Sequence, residues 1–187
     1  MLAAGQAGPA VVGLPGEAVG LAGLVAAAGV SVAEVQDRVG SKMRTWEFLS
    51  KLEHERIVQA IRDAESKTSG EIRVYVQRGK LGADPLIIAQ KKFQRLGMYK
   101  TRERNAVLIF VAPRAHKFAI VGDKAIHEKC GEQFWQHVVS GMRTHFQNEK
   151  FSRAIVEGIE EIGKLLAAHF PRTSANSNEL SDEVAEG

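Results

Sequence analysis

The sequence predicts a mixed α/β domain, a small mixed β-sheet sandwiched between helices, with disordered extensions at both ends. Three observations predict it. Stretches of helical period alternate with short apolar or period-two stretches, the pattern of a layered α/β unit. At 187 residues and 44% hydrophobic, the chain can bury one substantial core and is short for two. Finally, the composition shifts sharply near residues 42 and 172, which divides the chain into an extension (1–42), a domain (43–171) and a tail (172–187).

Residues 1–42 are dominated by Ala, Gly and Val, with no aromatic side chain to seed a core, and read as a low-complexity, disordered extension. Ala18 to Ala33 is uncharged for 16 residues but holds three glycines. It is shorter than the roughly 20 residues a spanning helix needs. No Lys or Arg precedes it, so the basic start of a signal peptide is missing. The expected location is therefore the cytoplasm, with a membrane surface as the alternative, and no transmembrane segment is expected. Met43 is a credible alternative start.

In the domain, Leu49, Leu52, Ile57, Ile61 and Ala64 make an apolar stripe opposite Lys51, Glu53, Glu55, Arg56 and Asp63, predicting one amphipathic helix over 47–66. Thr68-Ser69-Gly70 ends it. In EIRVYVQ, Ile72, Val74 and Val76 alternate with Glu71, Arg73 and Tyr75, a strand with one buried face. Glu71 reads either as a polar residue of a turn or edge, or as part of a site. Asp84-Pro85 opens a second helix, Asp84 as the cap and Pro85 at the first position, where its missing N–H costs nothing. Leu86, Ala89, Phe93 and Leu96 stripe it, and Gly97 closes it. AVLIFVA (106–112) is apolar on both faces, as a central strand covered twice should be. A turn at 113–116 returns the chain as a hairpin strand over 117–121, followed by a polar loop and helices near 132–146 and 151–170. Ser, Asn and Glu dominate 172–187, read as a solvated acidic tail.

The net charge of +3 is unevenly spread: −1 on the extension and −4 on 173–187 leave +8 on the middle. Lys91, Lys92, Arg95, Lys100, Arg102 and Arg104 concentrate part of it, on a solvated face or one that meets anions. No aromatics interleave with these charges as a single-strand platform requires, so nucleic acid is not the expected partner. A protein partner, soluble or membrane-associated, is, met through this basic face and the helix carrying Trp135. Short catalytic signatures for phosphate loops, zincins, nucleophile elbows and dinucleotide folds are absent. The single cysteine, Cys130, excludes an intramolecular disulfide. The six histidines do not pair at helical spacing, which disfavours zinc.

Ligands of open α/β sheets lie off strand ends, where loops converge. The entry of the central strand, Arg104-Asn105, and the exit of its hairpin partner, Gly122-Asp123, should share one edge. Asp123, Glu128 and Asn105 there offer hard oxygens suited to Mg²⁺ or Ca²⁺. His127 would serve as acid or base, and Arg104 and Lys124 would bind a phosphate substrate. Asp123, His127 and Arg104 are the catalytic candidates. The same residues also read as a turn, a helix start and a surface histidine.

AIRDAESKTSGEIRVYV, RNAVLIFVAPRAHKFAIVGD and FQNEKFSRAIVEGIEEIGKLLAAHFP, in that order, resemble the TPM domain over about residues 49–171. That family includes plant thylakoid lumen and photosystem II repair proteins and a nematode receptor-associated membrane protein. The resemblance implies a Rossmann-like layering, a weak acid phosphatase activity and divalent metal binding in some members. The family's Thr-Gly-Glu segment falls on Ser69-Gly70-Glu71. Its Asp-Asn-Gly strand entry falls on Arg104-Asn105-Ala106, and its Gly-Tyr-Gly segment on Gly122-Asp123-Lys124. Arg104 in place of an acid exchanges attraction for repulsion of a divalent cation and favours a phosphate instead. The chain therefore reads as a divergent, short form, expected to be a binding or accessory module, with a weak divalent-dependent phosphatase as the alternative.

Overall fold

A computed structural model describes residues 25–26, 30–34, 45–173 and 178–187. The strands are β1 (Val25–Ala26), β2 (Val30–Glu34), β3 (Glu71–Val76), β4 (Ala106–Ala112), β5 (Lys117–Gly122) and β6 (Ala185–Glu186). The helices are α1 (Thr45–Ser50), α2 (His54–Glu65), α3 (Pro85–Arg95), α4 (Lys124–Gln147) and α5 (Phe151–His169). The strands form one mixed sheet in the order β1-β2-β5-β4-β3-β6. β3 and β4 run parallel across the α3 crossover, and β4 and β5 form the predicted antiparallel hairpin. His116 closes that hairpin in the left-handed region at φ 51°.

The two faces of the sheet carry separate cores. On one, Ile72, Val74, Val107, Ile109, Phe118 and Ile120 pack with residues of α1, α2, α4 and α5, including Trp135, Ile155 and Ile159. On the other, Tyr75, Leu108, Phe110 and Ala119 pack against Leu86, Ala89 and Phe93 of α3. Every residue of β4 is buried, and each branched side chain so placed contributes on the order of 1.5–3 kcal/mol. This is the sandwiched mixed sheet that the run AVLIFVA predicts, with Rossmann-like layering. Trp135, expected on a docking surface, is fully buried.

Several boundaries differ from expectation for identifiable reasons. The helix expected over 47–66 is two, because Leu52 and Ile57 are five residues apart and cannot share one stripe. At the break the Glu53 N–H donates to Ser152 Oγ (3.0 Å) and Leu52 turns inward. The residues expected to be a loop after β5 are already helical. Asp123 caps α4 by accepting from the Lys124 N–H at 2.7 Å, and Gly131 (φ 66°, ψ 179°) interrupts the helix, so only its second half shows a clean sequence period.

Within the expected N-terminal extension, Val30–Glu34 pairs antiparallel with β5; residues 1–24, 27–29 and 35–44, with the alternative start at Met43, lie outside the described residues. Residues 178–187 are no solvated tail. They fold back along β3, and β6 pairs parallel with Tyr75 and Val76. Backbone bonds hold them there, and Asp182 also meets Arg62 and Glu186 meets Arg78. Glu71, read as a turn or strand-edge residue, is buried, with the backbone N–H groups of Glu179 and Leu180 on its carboxylate.

Candidate functional site

The entry of β4 and the exit of β5 meet at one end of the sheet, as expected, and the amino end of β3 lies beside them. Val107 pairs with Gly122, and the Asp123 N–H donates to the Ala106 carbonyl at 2.9 Å. Arg104 stands just before β4 in the left-handed region at φ 53°, uncommon for a long side chain. From there its guanidinium forks onto Asp123, Nε to Oδ2 at 2.7 Å and Nη2 to Oδ1 at 2.9 Å. The buried Asp123 carboxylate thus serves two partners, the guanidinium and the first turn of α4.

The other predicted residues are placed around this fork. Asn105 is buried and donates through Nδ2 to Ser69 Oγ (3.1 Å), which donates in turn to the Glu103 carboxylate (3.0 Å). Lys124 and Glu128 are exposed and paired with each other at 3.6 Å along α4. His127 is half-buried one turn into α4, its Nδ1 shielded and without a hydrogen-bond partner. The structure therefore brings Arg104 and Asp123 together and joins Asn105 to Ser69, while the Lys124 side chain goes with Glu128 on the exposed side of α4 and His127 is partly covered. Among the described residues no group of three His, Cys, Asp or Glu stands close enough to hold a metal ion. Asp123 and Glu128 are each already paired with a cation, so a divalent ion at Asp123 would have to displace a guanidinium.

Beside Ser69 lies a cleft of about 190 Å³, lined by Arg62, Glu65, Ser69, Gly70, Glu71 and Asp182 among others. Gly70 is required at its floor, since a Cβ there would stand 2.9 Å from the Leu166 methyls and 3.2 Å from the Asn105 carbonyl. Glu65 accepts from the Ile72 N–H through Oε1 (2.7 Å), while its Oε2 is buried without a partner. Burial, reinforced by Glu71 and Asp182, pushes the Glu65 carboxyl up to about 8, so it holds its proton near neutrality. Burial also raises Glu71, although its carboxylate accepts from the Glu179 and Leu180 N–H groups at 2.8 and 3.1 Å.

The family resemblance places a segment on Ser69-Gly70-Glu71, but the sequence reading singles out neither Glu65 nor Asp182. A signal for Glu65 exists: Ile57, Ile61 and Glu65 stand at i, i+4 and i+8, which puts a carboxylate on the buried stripe. None exists for Asp182, which reaches the cleft only because the tail folds back.

The basic face lies elsewhere, on the outer side of α3. Lys91 and Arg95 are exposed there with Ile87 and Tyr99, while Lys92 turns in to donate to the Tyr75 hydroxyl. Among the described residues no helix is long and apolar enough to cross a membrane.

Residues 44–165 match the family model of the TPM domain. The chain is also similar to the BA42 protein of the psychrophilic bacterium Bizionia argentinensis, solved by NMR. The two share 36% sequence identity with a TM-score of 0.68, over 72% of this chain and 92% of that one. No curated protein matches it.

Proposed function

The chain belongs to the TPM domain family, and from that premise we propose that it acts as a binding or accessory module for a protein partner, soluble or at a membrane surface. The Arg104–Asp123 fork carries this reading. The best carboxylate at the sheet end is neutralised by two hydrogen bonds from a guanidinium and is also in use as a helix cap. Charge-assisted bidentate pairs of this kind are strong and hold their geometry. A partner-binding role is further supported by the exposed Ile87, Lys91, Arg95 and Tyr99 on one face, where apolar and cationic groups adjoin.

One observation favours a second reading, a weak divalent-dependent phosphoester hydrolase. Glu65 presents a shielded carboxyl that keeps its proton near neutrality, beside Arg62 and Ser69, the combination that protonates a leaving group and orients a phosphate. In that reading Asp123, Glu128 and Asn105 would hold Mg²⁺ or Ca²⁺, Arg104 and Lys124 would bind the phosphate, and His127 would move a proton.

Hydrolysis of p-nitrophenyl phosphate by the full chain, with and without Mg²⁺ or Ca²⁺, separates the two. The module reading expects no divalent-dependent turnover. Divalent-dependent turnover that Asp123→Ala abolishes would overturn it.

A further inference from the structure

We infer that the outer edge of β3 is a strand-accepting groove for an extended acidic segment of a partner protein, closed in this chain by its own residues 178–187. The inference rests on the module reading and supplies its binding surface. Three kinds of contact show what the groove selects. Backbone pairing holds the occupant extended and parallel: Ala185 and Glu186 align with Tyr75 and Val76, the Arg78 N–H donates to the Gly187 carbonyl (2.8 Å), and the Gly187 N–H to Val76 (3.3 Å). Two arginines along the rim select carboxylates. Arg62 meets Asp182 at 3.2 Å, and Glu186 meets Arg78 (Nε at 2.8 Å), with the His54 ring 3.6 Å away. At the cleft, Glu71 grips the backbone itself through the N–H groups of Glu179 and Leu180.

The occupant is held lightly enough to be exchanged. Its ladder is two residues long, far short of a typical strand. Its cationic partners Arg62 and Arg78 are 60% and 64% exposed, where ion pairs contribute little. Removing the occupant, however, bares the N–H and C=O groups of an edge strand, a ready template for another chain. An edge that holds its own strand weakly is suited to strand addition from a partner, with backbone bonds giving affinity and the rim giving the acidic preference. The same exchange would uncover the cleft at Ser69, Gly70 and Glu71.

The test uses the full chain and a fluorescein-labelled synthetic peptide of residues 178–187. In the full chain carrying Asp182→Lys and Glu186→Lys, the tail is repelled from Arg62 and Arg78 while the groove is intact. This variant should bind the peptide at least ten-fold more tightly than the unaltered chain does, and a peptide with the same two changes should bind neither. Equal affinity for both proteins, or none for the variant, would overturn the proposal. A second measurement needs no variant: in the unaltered chain the Leu180 and Gly187 amides should exchange with solvent at least ten-fold faster than those of Val107 and Ile109. Equal protection would make the tail a permanent strand and would overturn it as well. Loss of peptide binding without divalent-dependent hydrolysis removes the groove and leaves the module reading, whereas divalent-dependent hydrolysis that Asp123→Ala abolishes removes the module reading and the groove's role with it.

Discussion

Arg104 holds Asp123 by both carboxylate oxygens from a backbone position at φ 53°, while Asp123 starts α4. Asp123→Ala removes the cap and strands the guanidinium, and should cost about 1–2 kcal/mol. Asp123→Asn keeps a capping oxygen and should cost less. Urea unfolding midpoints of the three proteins check the order.

Arg104→Asp removes the guanidinium from Asp123 and sets two carboxylates at the strand entry. Asp also tolerates the left-handed region better than Arg. Ca²⁺ titrated into this variant should shift the Asp123 and Lys124 amide resonances, whereas the unaltered chain should show no saturable shift there. Equal shifts in both would mean that the fork does not exclude the cation.

Glu65 sets the direction of a pH effect. Its folded value, about 8, lies above its ordinary 4.5 because of burial, then Glu71 and Asp182; Arg62 is the nearby cation on its own helix, and Arg172 donates to its backbone carbonyl. A carboxyl raised in this way stabilises the fold fully below about pH 4.5, and its contribution is lost as pH rises through about 8. Glu71 shifts in the same direction. The melting temperature should fall between pH 6 and pH 9, and Glu65→Gln, permanently neutral, should flatten that slope.

Cys130 is half-buried before the Gly131 break, and its thiol is pushed up to about 11 by burial, only partly offset by Lys129. Alkylation by iodoacetamide at pH 8 should be at least ten-fold slower than for an unfolded control, since the thiolate is the nucleophile. A rate equal to the control would show that the thiol is not shielded.

α2 and α5 cross where Gly163 faces Ala64, and a Cβ on Gly163 would stand 2.6 Å from the Ala64 Cβ. Gly163→Ala should therefore destabilise by about 1–3 kcal/mol. Adding Ala64→Gly should recover part of the loss, a coupling that a double-mutant cycle on denaturation free energies measures.

The local sequence determined the layered mixed α/β fold, the β4–β5 hairpin, the Asp84-Pro85 start of α3 and the meeting of Arg104-Asn105 with Asp123. Those features follow from hydrophobic period and turn chemistry within a few residues, and such signals are carried by the chain itself. Only the tertiary structure decided that Asp123 is spent on Arg104, that Trp135 is core and that Glu65 and Glu71 are buried together. It also decided that an acidic tail of low hydrophobicity becomes a strand. The last depends on charges and a backbone edge brought together from positions far apart in the chain, Arg62 with Asp182 and Tyr75 with Ala185. A side chain's environment, and with it the charge state of Glu65, exists only once those distant partners have closed around it.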